Sequence, residues 1–223
     1  MSEHAQPVFV RRDVPGSTQL GFYFQGGAGM LMLDPLTFLR GARSLERNMI
    51  LFRCPGMQFY HGRLHPAWPD IGTTISQLGK LRRSYAPEVF HASVGTSMGG
   101  YAAILFGHYL NADVVHAFGA TTRIDPCSPD VHVGPEDVPE AHRDLAQLLA
   151  HWNGRTRYHL YFNEGHERDR EHAEGPAACP GVELHPAPGT SHNFFEDPSR
   201  LTMLSTLFPP QAKNEPPCEQ VCT

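Results

Sequence analysis

The feature that most constrains this chain is a rhythm. Short apolar runs rich in β-branched and aromatic residues alternate with longer amphipathic stretches along most of its length. A strand followed by a helix-length connection returns beside itself in the same direction, so such a rhythm selects an α/β architecture with a mainly parallel sheet. Val8 to Arg12 reads as a first, edge strand. Leu20–Phe24, Asn48–Arg53, Glu88–Val94, Asp113–Phe118, Arg157–Phe162 and Gly181–His185 read as the others. Asp34-Pro35 suits a helix start, the aspartate capping and the proline at the first position, with the helix running to about Leu45. Further helices are expected over Ile75–Tyr85, Tyr101–Leu110, Glu140–Trp152 and Pro198–Phe208, and loops over Met57–Pro69 and Thr121–Pro139.

A chain of 223 residues is the size of one domain with modest elaborations. We expect a single domain over residues 1–208 and a disordered, proline-bearing tail over 209–223. The net charge of −5 argues against a nucleic-acid partner, and the basic run Lys80–Arg83 reads as a solvated helix face. No apolar stretch reaches membrane-helix length, and Met1–Arg12 lacks the apolar centre of a signal peptide. Five scattered cysteines do not make a disulfide framework, so the expected compartment is the cytoplasm. The histidines number fourteen, yet none has a carboxylate or cysteine at convincing ligand spacing. His61 and His65 are separated by the helix-breaking Gly62. Neither a metal nor another cofactor is expected.

The chemistry concentrates at Gly95-Thr96-Ser97-Met98-Gly99, a G-x-S-x-G pattern. An apolar strand precedes it and an apolar helix, Tyr101–Leu110, follows it. In that setting the glycines permit a sharp strand-to-helix turn that lifts the serine hydroxyl above the sheet, with helix amides behind it. Here the chain resembles the α/β-hydrolase family, whose elbows often read G-x-S-M-G-G followed by an aromatic residue. The resemblance spans roughly Leu20 to Phe208. It implies an α/β-hydrolase fold with helices on both faces of the sheet, compact and without a large lid domain. It also implies a chain order of nucleophile, acid and histidine.

Ser97 is then the expected nucleophile and His192 the base. His192 sits in Pro188-Gly189-Thr190-Ser191-His192-Asn193-Phe194, after the last expected strand; His185, inside that strand, is poorly placed to reach the sheet's edge. Asp169 fits best as the acid, in the charged run after Phe162. Glu164, Glu167, Glu171 and, after the preceding strand, Asp125 compete with it. The turn Gln25-Gly26-Gly27-Ala28-Gly29 lies where relatives carry a His-Gly-rich loop, with Gln25 replacing the histidine. The amides of Gly27 and Met98 are expected to form an oxyanion hole, with Ala28 in reserve.

Phe59, Tyr60 and Trp68 are the candidate walls of an apolar substrate pocket. The expected activity is a serine esterase or thioesterase acting on a small or medium acyl substrate through an acyl-enzyme. An acyltransferase using the same residues is one alternative, and a non-catalytic binding protein retaining the fold is another. The expected partner is a small acyl molecule, with neither nucleic acid nor membrane; a homodimer is compatible with this reading.

Overall fold

In a computed structural model of the chain, residues 9–54, 58–61, 64–65, 67–125 and 137–210 are described. Among them, seven strands form one sheet: β1 (Phe9–Arg12), β2 (Gln19–Phe24), β3 (Asn48–Phe52), β4 (Phe90–Thr96), β5 (Val114–Phe118), β6 (Arg157–Asn163) and β7 (Val182–Ala187). Their spatial order is β1-β3-β2-β4-β5-β6-β7. β1 runs antiparallel to β3, and every other neighbouring pair is parallel. The mainly parallel α/β sheet anticipated from the alternating pattern is the one observed.

The central strands are buried on both faces, which is why they read as unbroken apolar runs. All six residues of β2 and all five of β5 are buried. Alternate side chains feed two cores. On one face Phe22, Phe24, Ile50, Phe52 and Val115 pack beneath α2 (Ile71–Arg83), α3 (Met98–Tyr109) and α5 (Leu145–Ala150). On the other, Tyr23, Met49, Val94 and Phe118 pack beneath α1 (Pro35–Gly41) and two 3-10 segments, Phe194–Glu196 and Pro198–Thr206. Helix α3 lies over the middle of the sheet and is buried from Met98 through Gly107, which accounts for its apolar sequence on every side.

The chain steps one way from β2 to β3, crosses back to β4 and then moves steadily outward to β7. The reversal falls between β2 and β4, and at such a switch point the loops leaving the two strands diverge and open a crevice at the sheet's carboxyl edge. The loops there are Gln25–Gly29 and the turn around Ser97.

Several local expectations need correction. Helix α2 begins at Ile71, not Ile75, because the Asp70 side chain caps it by accepting from the Thr73 N–H at 2.7 Å. The helix expected over Glu140–Trp152 is two pieces, α4 (Glu140–Arg143) and α5, interrupted where Asp144 turns extended and caps the second. Pro198–Thr206 is a 3-10 segment rather than an α-helix. The charged run after β6 contains α6 (Glu167–Glu174), a helix that apolar periodicity alone does not reveal. Val8, Met57, Gly62, Arg63 and Pro66, all residues from 126 to 136 of the loop expected over Thr121–Pro139, and most of the expected tail, from Gln211 onward, fall outside the described residues. Among the described residues no helix is long and apolar enough to cross a membrane.

Candidate active site

Ser97 joins β4 to α3 with φ 54° and ψ −123°, a conformation an L-residue adopts only under constraint, at a cost of about 1–3 kcal/mol. The constraint is visible in its bonds. The Ser97 N–H donates to the Phe118 carbonyl at 2.8 Å, and the Ser97 carbonyl accepts from the Gly100 N–H at 2.9 Å. The flanking glycines are sterically required. A Cβ on Gly95 would collide with the Gly99 carbonyl, and one on Gly99 with the Phe24 carbonyl of the neighbouring strand. A Cβ on Gly26 would stand 2.8 Å from the Thr96 carbonyl, so the glycine loop after β2 rests directly against the elbow.

His192 approaches from the loop after β7. Its Nε2 lies 3.0 Å from Ser97 Oγ, and its Nδ1 lies 2.9 Å from each oxygen of Asp169. Asp169 occupies the first turn of α6 with 4% of its side chain exposed, while 45% of the His192 side chain is exposed. Thus the carboxylate is sequestered and the imidazole faces the crevice. The rival carboxylates Asp125, Glu164, Glu167 and Glu171 are all exposed, and the hydrogen bond from His192 Nδ1 goes to Asp169.

The histidine loop is held by residues that the sequence pattern does not single out. Asn163, the last residue of β6, donates from Nδ2 to the Ser191 carbonyl at 2.7 Å. The Gly165 N–H donates to the Gly189 carbonyl at 2.8 Å, tying the acid loop to the histidine loop. Arg200 reaches from the last 3-10 segment to the Phe194 carbonyl at 2.8 Å. Gly119, at φ 51°, passes so near that a Cβ would stand 3.1 Å from Asp169 Oδ2 and 3.3 Å from His192 Cε1.

His166 is a second imidazole beside the acid. Its Nδ1 accepts from the Asp169 N–H at 3.3 Å, capping α6, and its ring lies 5.4 Å from that of His192. Donor atoms of His166, Asp169 and His192 lie within 4.8 Å of one another, a spacing that could accommodate a cation. The close contact of His192 Nδ1 with both Asp169 oxygens competes with that use. On the next turn of α6, burial pushes the imidazole of His172 down to about 4, and its Nδ1 accepts from the Thr122 N–H at 3.3 Å.

A cavity of about 250 Å³ opens at this point, lined by Gly26, Gly27, Met30, Met32, Ser97 and His192, with Thr96 and Asn193 completing it. Two sets of amides start helical turns beside it. Met98 is the first residue of α3, so its N–H precedes the first intrahelical bond. Gly27 opens the 3-10 turn Gly27–Gly29, in which the bonds run from Gly29 to Gly26 and from Met30 to Gly27. The N–H groups of Gly27 and Ala28 therefore take no part in the turn's own bonds.

No family model matches this sequence, and no curated protein matches it. Solved structures do. A lipase-esterase related protein from Clostridium acetobutylicum superposes with a TM-score of 0.56 at 12% identity, covering 90% of this chain and 98% of its own. An α/β serine hydrolase without a lid, from Xanthomonas campestris, gives 0.51 at 16% identity over 87% and 84% of the two chains. The capsule O-acetyltransferase of Neisseria meningitidis serogroup A gives 0.58 at 9% identity over 86% and 90%. The chain has the α/β-hydrolase fold.

Within this α/β-hydrolase fold, the three aromatic residues expected to wall the pocket lie elsewhere. Phe59 and Tyr60 are 2% and 0% exposed. The Phe59 ring meets Tyr101 edge-on at 5.7 Å, and its N–H points to Met98 Sδ at 3.3 Å. Tyr60 donates its hydroxyl to the Gln25 carbonyl at 2.8 Å, bracing the glycine loop from behind. Trp68 stacks on Phe9 of the edge strand at 6.0 Å. Their apolar area closes the core under the loop, and methionines take the place they were expected to fill in the cavity wall. Met30 and Met32 carry no motif, and only the topology brings them to Ser97.

Proposed function

We propose that this α/β-hydrolase fold houses a serine hydrolase that cleaves esters or thioesters of short acyl groups. The single observation that carries the reading is the continuous contact from Ser97 Oγ through His192 to the buried Asp169. Ser97 Oγ attacks the acyl carbonyl carbon while His192 Nε2 accepts its proton, and Asp169 orients the ring and stabilises the imidazolium without taking the proton itself. The amides of Met98 and Gly27 hold the oxyanion of the tetrahedral intermediate. His192 then protonates the leaving oxygen or sulfur, and water enters by the same path in reverse to release the acid.

Substrate size follows from the cavity. About 250 Å³ is less than the roughly 300–1,000 Å³ of pockets that enclose drug-sized ligands, which favours an acyl group of a few carbons with the leaving group in solvent. The thioethers of Met30 and Met32 supply a soft apolar wall for it. Because 40% of Met30 is exposed, the mouth also has room for an alcohol in place of water, which keeps acyl transfer as a second reading.

A fluorophosphonate probe tests the nucleophile. Stoichiometric labelling of the wild type and none of Ser97→Ala is the expected result, and an unlabelled wild type would leave a binding protein instead. A series of p-nitrophenyl esters from two to twelve carbons should peak at the short end. Adding alcohol acceptors to the same assay separates hydrolysis from transfer by the product formed.

A further inference from the structure

Away from this site, on the outer two strands of the sheet, two histidines and a glutamate converge. In the parallel register of β6 and β7, His159 stands opposite Glu183, and Tyr161 opposite His185. Because alternate residues of a strand share a face, His159, Glu183 and His185 project to the same side. His159 Nδ1 lies 2.8 Å from His185 Nε2. The Glu183 carboxylate reaches both nitrogens, with one oxygen 3.5 Å from His159 Nδ1 and the other 3.6 Å from His185 Nε2.

We propose that His159, Glu183 and His185 form a binding site for a divalent transition-metal ion of the zinc type, independent of the serine site. Two imidazole nitrogens and one carboxylate are a ligand set suited to Zn²⁺, which takes four ligands and accepts water as the last. Ligands about 2.0–2.1 Å from a tetrahedral ion stand about 3.3 Å from one another. The two carboxylate-to-nitrogen separations are already near that value, and the nitrogen pair needs to open by about half an ångström. A hydrogen bond between two ring nitrogens also requires one of them to present a lone pair, so the ion replaces the proton the pair shares.

The rings are held for this arrangement. His116 stacks on His159 at 5.2 Å, and Tyr161 stacks on His185 at 4.5 Å with 18° between the planes. His116 is itself no ligand, since its nitrogens are engaged by the Tyr161 hydroxyl and the Leu207 carbonyl. Those partners fix the plate against which His159 lies. The side chains of His159, His185 and Glu183 are 21%, 31% and 64% exposed, so an ion can enter from solvent. The consequence is structural. β6 leads to the Asp169 turn and β7 to the His192 loop, so an ion bridging them staples the edge strand that carries the candidate base.

The test is a calorimetric titration of the metal-free protein with Zn²⁺, repeated with Co²⁺ to read tetrahedral coordination from its visible absorption. One ion per chain, a rise in Tm with added Zn²⁺, and a loss of affinity of about tenfold or more in His159→Gln and His185→Gln are expected. His192→Ala should retain the ion. Glu183→Gln alters an exposed side chain that the fold does not need, so it guards against loss of binding through misfolding and must weaken Zn²⁺ as well. No stoichiometric binding overturns the proposal. So does unchanged affinity in Glu183→Gln, or binding that survives His185→Gln but disappears in His192→Ala, which places the ion on the His166–Asp169–His192 group.

Discussion

The carboxyl edge of the sheet and its interior use histidine in opposite ways. At the edge, 45% of the His192 side chain is open to solvent, one ring nitrogen meets Asp169 and the other meets Ser97. In the interior, His61, His91 and His116 are 3%, 0% and 6% exposed, and burial pushes each imidazole down to about 3. Burial disfavours the charged form of those three, whereas the edge histidine is held between a buried carboxylate and a serine hydroxyl. The residue type is shared; the place in the fold decides whether its ring is open to solvent at the elbow or packed in the core.

The sharpest way to break this contrast is to remove one histidine from each place. His192→Ala should lower kcat by a factor of about 10⁶, since members of such a unit are lost together. Asp169→Asn, which leaves the geometry but spoils the ring's tautomer, should cost about 10⁴. His91→Phe should leave kcat unchanged. Steady-state kinetics on a short-chain ester decide it, and comparable losses at His91 and His192 would dissolve the distinction.

Glycines divide along the same line. At the elbow a Cβ on Gly99 collides with the Phe24 backbone, which a strand clamped between two neighbours cannot move aside. At the surface, Gly154 has φ 74° and nothing within 4 Å of an added Cβ. Gly99→Ala should therefore destabilise the fold by more than about 4 kcal/mol, and Gly154→Ala by only about 1–2 kcal/mol of backbone strain. Urea midpoints measure both. Equal costs would mean that close packing at the elbow is not what demands glycine there.

How much of this is legible in the sequence depends on how local each feature is. The elbow is written in five consecutive residues, Gly95 to Gly99, and the strand and helix around it are strong apolar runs. The parallel sheet follows from the alternation of elements. Asp169 fits best from its place after β6, yet Glu167 and Glu171 compete with it, because helix α6 is charged on most of its surface and shows little apolar period; in the structure what sets it apart from them is burial, a tertiary property. Phe59, Tyr60 and Trp68 are misplaced for the converse reason. Aromatic residues in an irregular loop look like a pocket wall, but here Phe59 and Tyr60 pack in the core behind the elbow and the glycine loop, and Trp68 covers the edge strand. The pairing of His159 with Glu183 and His185 depends on strand register between distant segments, and the placing of Asn163 and Met32 beside the site depends on how distant loops meet there, neither of which a local pattern encodes.

The interior histidines set the behaviour of the fold in acid, and the sign can be worked out. In the unfolded chain each imidazole takes a proton near pH 6.5; in the folded chain burial holds that uptake down to about pH 3. Above about pH 6.5 neither state is protonated and stability is full. Below it the unfolded state binds protons that the folded state refuses, so each imidazole removes up to about 1.4 kcal/mol per pH unit until its folded pKa is reached. Urea unfolding from pH 7 to 4.5 should therefore show a steepening loss. His91 isolates one contribution, because both its ring nitrogens are buried without a hydrogen-bond partner among the described residues and its ring meets Phe22 edge-on at 4.7 Å. His91→Phe keeps that packing and deletes the proton site. It should flatten the acid slope by about one proton and, at neutral pH, raise stability by about 1 kcal/mol through removal of unsatisfied polar atoms. An unaltered slope would show that His91 gains its proton in the folded state, and the division between the edge and the interior would have to be redrawn without it.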